Sequence, residues 1–339
     1  MKDLRNSFIC LLIFIMNNNT YSQGVNILTS GTKTSIRGLS VVNKNIIWAS
    51  GSNGMVARSV DGGKIFTWQQ VAHFEKKDFR DIEAFDSNVA IIMCIAEPAF
   101  VLKTINGGKD WNTVFTDSSK GMFLDAMYFA DTKNGIVIGD PLNNKPFIAS
   151  TDDGGDTWTQ NYNTPTLFEG EAFFASSGSN IALKWNKQDK KNDSYFVSGG
   201  KKSNLYINYK KYELPIVQGF ESTGANSIAI FKNNIIVVGG DFAKDSIANN
   251  NCVLFNAKTK QFSVPKSSPF GYRSSVVFLD KNKAVSCGLN GVDITYDKGF
   301  NWASISKEGF HIVAKAKKGK AIFLAGSRGR IARLDISKN

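Results

Sequence analysis

The chain has 339 residues, of which 42% are hydrophobic, 12% aromatic and 21% charged. This apolar content excludes an intrinsically disordered chain and is enough for a large core. Glycine (30) and phenylalanine (25) are frequent and proline (7) is scarce, which favours short strands and tight turns over long helices. The formal net charge of +12 bears on solubility and partners rather than on the fold.

The amino-terminal segment has the pattern of a secretory signal peptide. Lys2 and Arg5 precede an apolar run over residues 8–16. That run is too short for a membrane-spanning helix, which needs about 20 residues. A polar stretch with small residues follows, and cleavage is expected after Ser22. The sequence therefore predicts a signal peptide over residues 1–22.

The mature chain, residues 23–339, is expected to be exported to the periplasm or the outside of the cell. Its formal charge would be +11, because cleavage removes two basic residues and one acidic residue. No later segment is apolar enough to cross a membrane, so no membrane span is expected.

The mature chain keeps Cys94, Cys252 and Cys287. Three cysteines are too few for a disulfide framework and allow at most one bridge, so we interpret them as buried apolar residues in strands. There is no Cys-x-x-Cys motif, and the two histidines, His73 and His311, lie far apart. We therefore expect no metal site and no cofactor.

One motif, Ser/Thr-x-Asp/Asn-x-Gly, recurs four times, usually with a tryptophan three residues later. Its central residues are Asp61, Asn106, Asp153 and Asp297. The acidic or amide side chain is expected to accept backbone N–H bonds, and the glycine to adopt a positive φ. We interpret the four motifs as structural turns between strands rather than as binding loops.

The spacing of these turns predicts the architecture. The first two steps are 45 and 47 residues, and the last is 144, or three steps of 48, so two degenerate repeats are expected near residues 206–209 and 253–256. The last repeat, residues 309–336, has room for three strands, and residues 25–34 can supply a fourth. The sequence predicts a single all-β domain, a seven-bladed β-propeller closed by the amino- and carboxy-terminal strands. Six blades would need about 53 residues each and fit the steps less well.

The repeated motif resembles the Asp-box, or BNR repeat, of sialidases and related propellers. The wider sequence is similar to the photosystem II assembly-factor group, in its non-photosynthetic bacterial branch. The stretches that carry this similarity include residues 36–39, 78–83, 139–141, 170–172, 271–274 and 328–333. Members of that branch often carry labels such as oxidoreductase or glycosyl hydrolase, which need support from residues of this chain.

Aligning the starts of the repeats places a polar side chain at one position in each, where the innermost strands should begin. These are Arg37, Arg80, Asp125, Glu171, Asn226, Arg273 and His311. Arginine binds oxyanions through its planar fork, so the mouth of the ring is expected to bind a protein or an anionic ligand, such as a carboxylate, a phosphate or an acidic peptide. In the alternative interpretation, Arg–Asp and Arg–Glu pairs hold neighbouring blades together.

The preferred function is a ligand- or protein-binding or assembly scaffold acting as a monomer. The alternative is a sialidase-like glycoside hydrolase that uses Asp125 and Glu171 with the arginine cluster and Tyr272. The chain departs from sialidases in its seven blades and in lacking an Arg-Ile-Pro segment. No dinucleotide-binding motif follows a strand, so the motifs do not support an oxidoreductase.

A nucleic-acid partner is not expected, because export argues against it despite the basic charge. The lysine-rich residues 184–211 interrupt the repeat, and we interpret them as a solvated insertion between strands of the fourth blade. A second interpretation is a docking surface for anionic envelope or matrix material.

Overall fold

The computed structural model describes residues 24–336, so the predicted signal peptide lies outside the described residues. These residues form thirty strands, β1 to β30, and one 3-10 turn at Ser327–Gly329. The strands make seven antiparallel sheets, the blades, which confirms the predicted all-β propeller of seven blades. Within residues 24–336 there is no helix whose length and apolarity would let it span a membrane.

Each blade is built of four main strands, which follow one another from the channel outward. Blade 1 contains β2 (Ile36–Val41), β3 (Ile47–Gly51), β4 (Met55–Ser59) and β5 (Thr67–Gln70). Blade 2 contains β6 (Phe79–Ala84), β7 (Ala90–Cys94), β8 (Ala99–Thr104) and β9 (Asn112–Asp117). Blade 3 contains β10 (Leu124–Phe129), β11 (Gly135–Leu142), β12 (Lys145–Thr151) and β13 (Thr159–Gln160).

Blade 4 contains β15 (Ile181–Asn186), β16 (Lys191–Val197), β18 (Asn204–Ile207) and β19 (Lys210–Glu213). Blade 5 contains β20 (Thr223–Phe231), β21 (Asn234–Asp241), β22 (Cys252–Asn256) and β23 (Gln261–Ser263), and two short strands, β14 (Glu171–Ala172) and β17 (Gly199–Gly200), extend its sheet. Blade 6 contains β24 (Ser275–Phe278), β25 (Ala284–Gly288), β26 (Gly291–Thr295) and β27 (Trp302–Ser306). Blade 7 contains β28 (Ile312–Lys315), β29 (Ile322–Ala325), β30 (Ile331–Asp335) and β1 (Gly24–Thr29).

The hydrophobic core is divided among the gaps between blades. Seven clusters of buried apolar residues each join side chains of two neighbouring blades. The inner strands are therefore covered on both faces, and all five residues of β7 are buried. The outermost strands are more exposed, and no residue of β9 is buried. Each blade thus stabilises the next, and no single core dominates.

The two chain ends close the ring, as predicted. Strand β1 pairs antiparallel with β30, with Val25 opposite Leu334. Ile36 of blade 1 and Phe323 of blade 7 belong to one buried cluster, so the seventh gap is packed like the others. Closure protects strand edges that an open array would expose.

The four repeated motifs form turns between the third and fourth strands of blades 1, 2, 3 and 6. In blade 3, Thr151 Oγ1 accepts the N–H of Gly155 at 2.9 Å, and Asp153 Oδ1 accepts that of Thr157 at 3.0 Å. Gly155 has φ 82°, and a Cβ atom there would lie 2.4 Å from Cδ1 of Ile91 in blade 2. The turn therefore packs directly on the preceding blade.

The two degenerate repeats are also where the spacing predicts them. Residues 206–209 cover the end of β18 and the turn that follows it, and residues 253–256 lie in β22; β18 and β22 are the third main strands of blades 4 and 5. Two details of blade 4 were predicted wrongly. Residues 184–211 are not an insertion, because they form most of the four strands of this blade.

Glu171 does not begin the innermost strand of blade 4. It lies in the two-residue strand β14, which pairs with β17, and the innermost strand starts ten residues later at Ile181. A long connection between blades 3 and 4 therefore hides the true start of the repeat.

Cys94, Cys252 and Cys287 are buried and free, in β7, β22 and β25 respectively. This confirms their interpretation as small apolar core residues. Burial raises the pKa of the Cys94 thiol to about 11, so the thiol stays protonated and unreactive at neutral pH.

Candidate functional site

The upper end of the central channel is the end at which the innermost strands begin. Four of the predicted polar residues share one structural position there, because the strand register shifts at Arg37, Arg80, Asp125 and Asn226. Such bulges re-aim a side chain out of the regular alternation of a strand. The sequence alignment of these four residues therefore corresponds to a real equivalence in the structure.

Residues 173–179, which we call the plug, connect β14 to β15 and cross the upper end of the channel. Nη1 of Arg80 donates to the carbonyl oxygen of Ala175 at 3.0 Å, and Nη1 of Arg37 approaches that of Ser176 at 3.4 Å. On the other side, Ser177 Oγ donates to the carbonyl oxygen of Ser274 at 2.7 Å. The plug is thus held by blades on opposite sides of the ring. The sequence did not predict a segment that crosses the channel.

Arg37 and Arg80 form a pair of neighbouring guanidinium groups beside the plug. Nε of Arg80 pairs with Asp78 Oδ2 at 2.7 Å, and the Arg80 side chain is 23% exposed. Arg37 has no carboxylate within ion-pair distance among residues 24–336. Burial, followed by the charge of Arg80, lowers the pKa of Arg37. The pair therefore carries positive charge that Asp78 only partly offsets, together with free N–H donors.

The buried carboxyl group of Asp125 lies near Arg80, and the partly buried carboxyl group of Asp140 lies near Asp125. Asp140 Oδ1 accepts the N–H of Phe173 in the plug at 2.9 Å, and burial raises its pKa to about 6. Asp125 is fully buried; burial and then the charge of Asp140 raise its pKa well above the ordinary value. Neither oxygen of Asp125 has a hydrogen bond of normal geometry, although the charge of Arg80 favours its ionised form.

His311 and Asn226 complete the upper end. Nδ1 of His311 lies 2.8 Å from the carbonyl oxygen of Ile36, which requires Nδ1 to be the donor. Burial, and after it the charge of Arg37, lowers the pKa of His311 to about 4, so this ring is neutral at neutral pH. Asn226 Oδ1 accepts the hydroxyls of Tyr272 at 2.8 Å and Ser176 at 3.1 Å, which ties the plug to blades 5 and 6.

Arg273 is not brought together with Arg37 and Arg80. Its Nε pairs with Asp293 Oδ2 at 2.6 Å, and both side chains are almost fully buried within blade 6. The equivalent residue of blade 6 is Ser274, since Ser274 and Ser275 both face Cys287. The aligned position of Arg273 was therefore wrong by one residue, which sends the side chain away from the channel.

Glu171 is also held inside the protein. It accepts hydrogen bonds from Tyr206 Oη at 2.8 Å, Asn204 Nδ2 at 2.9 Å and the hydroxyl of Ser198, and it is 2% exposed. Asp125 and Glu171 therefore lie in separate buried clusters. A glycoside has no access to either carboxyl group, so the geometry does not favour the glycosidase alternative.

Five exposed apolar side chains that the sequence did not single out lie on loops of the upper face around blades 4 to 6. We call Phe168, Phe220, Phe242, Phe270 and Leu289 the upper apolar patch; Phe220 is 71% exposed and Phe270 is 54% exposed. The ring of Phe242 contacts Phe174 of the plug at 5.8 Å between centroids. In the sequence these residues are single aromatic or aliphatic side chains, and similar residues fill the core strands. The pattern of the sequence alone therefore could not identify the patch.

Within residues 24–336, no group of three or more His, Cys, Asp or Glu side chains is arranged to hold a metal ion.

The chain matches no family model and no curated protein. It is similar in structure to "YCF48 bound to D1 peptide" (TM-score 0.65, 14% identity, 92% of this chain and 97% of that chain) and to "YCF48 from Cyanidioschyzon merolae" (TM-score 0.61, 14% identity, 91% and 98%). It is also similar to the Neurospora crassa Pan2 WD40 domain (TM-score 0.56, 13% identity, 90% and 91%). These likenesses establish the fold. They extend over nearly the whole described propeller, at identities too low to carry over residue roles.

Proposed function

We propose that this protein is a recognition or assembly scaffold that binds a protein segment carrying a carboxylate at its upper face. Arg37 and Arg80 would bind the anionic group, and the upper apolar patch would hold neighbouring apolar side chains. Asn226 would fix the position of the plug through Ser176, and Asp125 and His311 lie buried at the same end. We propose no catalytic step.

The arginine pair carries this proposal. Two guanidinium groups lie close enough for one to lower the pKa of the other, and Arg37 has no carboxylate of its own in the described part of the chain. Bringing like charges together is unfavourable unless an anion joins them. A carboxylate can accept two parallel hydrogen bonds from one arginine fork, which gives orientation as well as affinity.

The upper apolar patch favours a protein partner over a small inorganic anion. Exposed aromatic side chains such as Phe220 and Phe270 are enriched at interfaces and rare as clusters on surfaces without partners. A short peptide can place its carboxylate at the arginines and its side chains on the patch. The similar structure named for YCF48 contains a D1 peptide, which supports peptide binding as a use of this fold.

We further propose that the chain is a bacterial relative of the photosystem II assembly-factor group with BNR-type turns, exported after removal of residues 1–22. The whole-length likeness to YCF48, the four repeated turns and the amino-terminal pattern support this. The amino-terminal residue of protein purified from a periplasmic or culture fraction tests the export. An intact Met1 in that fraction, or a protein found only inside the cell, would count against it.

Peptide binding is tested with an immobilised peptide library, in which each peptide is present with a free carboxyl terminus and with an amidated one. The variant Arg37→Gln/Arg80→Gln is compared with Arg333→Gln/Lys64→Gln, which removes two charges from exposed positions away from the upper end. The proposal expects wild-type and control protein to prefer free carboxylates, and the arginine variant to lose that preference. Equal binding of acid and amide peptides by the wild type, or an unchanged preference in the arginine variant, would refute it.

A further inference from the structure

The channel below the plug is a blind cavity of about 670 Å³ that opens at the lower end of the ring. Its closed end is formed by Ser177, Gly178 and Ser179 of the plug, together with Asp81. The plug therefore separates this cavity from Arg37 and Arg80, which do not line it. Small-molecule sites have volumes of about 300–1,000 Å³, and this cavity falls within that range.

The walls of this cavity are mostly apolar. They come from the innermost strands of several blades and include Phe85, Tyr128, Ile181, Ile230, Val277 and Ala314. The hydroxyl of Tyr128 has no hydrogen-bond partner among residues 24–336. Burial, followed by the charge of Glu83, raises the pKa of Tyr128, so the phenol stays protonated and remains a donor within the cavity.

The rim of the cavity is rich in lysine. Lys184 and Lys315 each donate to a backbone carbonyl oxygen of a neighbouring blade, that of Lys232 and that of Leu279 respectively. These bonds fix each ammonium group at the opening and leave two N–H donors free. The lysines therefore form a positioned cationic edge rather than a set of freely moving surface chains.

The two acidic residues of the rim do not neutralise this edge. Glu83 is paired with Lys317, and the carboxylate of Asp131 accepts the N–H groups of Lys133 and Asn134 in its own turn. Lys184, Lys232 and Lys315 have no carboxylate within ion-pair distance in the described part of the chain. The rim carries five lysines, Lys184, Lys232, Lys315, Lys317 and Lys318, against these two carboxylates, so a net positive charge remains at the opening of an apolar cavity.

From this arrangement we propose a second binding site, in which the lower cavity takes a small amphipathic carboxylate. Its apolar body would lie along the channel walls, and its carboxylate would meet Lys184, Lys232 and Lys315 at the rim. An apolar wall favours burial of a hydrocarbon body, while the lysines favour an anionic head over a neutral or cationic one. This site is independent of the upper arginine pair.

Calorimetric titration of the full chain with dodecanoate tests the site, with dodecanol and acetate as probes of the apolar and anionic parts alone. We expect saturable binding of dodecanoate, and binding at least about tenfold weaker for each partial probe. The variant Lys184→Gln/Lys232→Gln/Lys315→Gln should weaken dodecanoate binding by about tenfold or more, whereas Lys187→Gln/Lys190→Gln/Lys258→Gln, three exposed lysines off the rim, should not.

Two further variants distinguish binding in the lower cavity from binding at the upper end or on the outer surface. Val277→Trp narrows the cavity and should abolish binding, with its fold checked by circular dichroism; if it does not fold, the lysine triple variant decides alone. Phe220→Ser/Phe270→Ser, in the upper apolar patch, removes exposed side chains that neither line the cavity nor hold the plug, so it should bind dodecanoate as the wild type does. Absence of saturable dodecanoate binding, equal affinity for dodecanol, no effect of the rim variant, or loss of binding in the upper-patch variant would each overturn the proposal.

Discussion

The backbone of Gly178 lies against the carboxyl group of Asp81. A Cβ atom on Gly178 would lie 2.3 Å from Cγ of Asp81, and Gly178 has φ 64°. Asp81 in turn accepts the N–H groups of Ile82 and Met127 at 2.8 and 2.7 Å, which links blades 2 and 3. The plug thus depends on a glycine at the point where it passes a carboxyl group that joins two blades.

Substitution of Gly178 by alanine should therefore destabilise the protein by more than about 2 kcal/mol, through the close contact as well as the positive φ. Gly121→Ala is a closer control, because Gly121 has φ 84° and the nearest atom to its Cβ position, Cδ2 of Leu142, lies at an ordinary contact distance of 3.4 Å. The control should lose only the cost of the positive φ, about 1–2 kcal/mol. Urea denaturation of both variants measures the difference, and equal losses would show that the contact with Asp81 is unimportant.

Asp140 should lower the free energy of unfolding as the pH rises. Its pKa is raised from 3.8 to about 6 in the folded chain, so the folded state holds more protons than the unfolded state between these values. Stability from this group is present below pH 3.8 and is lost as the pH rises through about 6, by up to about 3 kcal/mol. Asp140→Asn should remove this fall, so that the variant gains on the wild type between about pH 4 and pH 7. A constant difference across that range would contradict this role.

His311 should have the opposite effect on stability, lowering the free energy of unfolding as the pH falls over a similar pH range. Its pKa is lowered from 6.5 to about 4, so the unfolded state binds the extra proton first. Stability is present above pH 6.5 and is lost as the pH falls toward 4, by up to about 3 kcal/mol. His311→Gln should therefore gain on the wild type as the pH falls, measured by urea denaturation. A variant whose loss of stability at acid pH matches that of the wild type would rule out this effect.

Each repeated turn should contribute to the stability of the fold through one buried hydrogen bond. Thr151→Val keeps the shape of the side chain but leaves the buried N–H of Gly155 without its acceptor, so we expect a loss of about 1–3 kcal/mol. Thr159→Val, at an exposed position of the adjacent strand, should change stability by no more than about 0.5 kcal/mol. If both variants unfold at the same denaturant concentration, the hydroxyl of Thr151 does not stabilise the turn.

The sequence predicted the number of blades because four turns kept a regular spacing. It also predicted ring closure, because the last repeat lacked one strand. It failed at blade 4, where no turn motif is present and a long connection, containing Glu171, precedes the innermost strand. The polar residues around Lys184 looked like an insertion because this blade extends into solvent, although its strands pair normally.

The positions of the candidate residues were predicted in part, and their binding role stays a prediction. Arg37, Arg80, Asp125 and Asn226 were aligned correctly, since each lies at the register shift near the start of the innermost strand of its blade. Arg273 was misplaced by one residue, and a shift of one residue in a strand reverses the side chain. The plug and the upper apolar patch could not be predicted, because both depend on contacts across the ring that leave no local pattern.

The central claim is that Arg37 and Arg80 bind a carboxylate of a protein segment. A double-mutant cycle tests it most directly: one peptide is measured as acid and as amide against the wild type and Arg37→Gln/Arg80→Gln. We predict a coupling of about 1.4 kcal/mol or more, a tenfold preference for the acid that vanishes in the variant. A coupling indistinguishable from zero would contradict it.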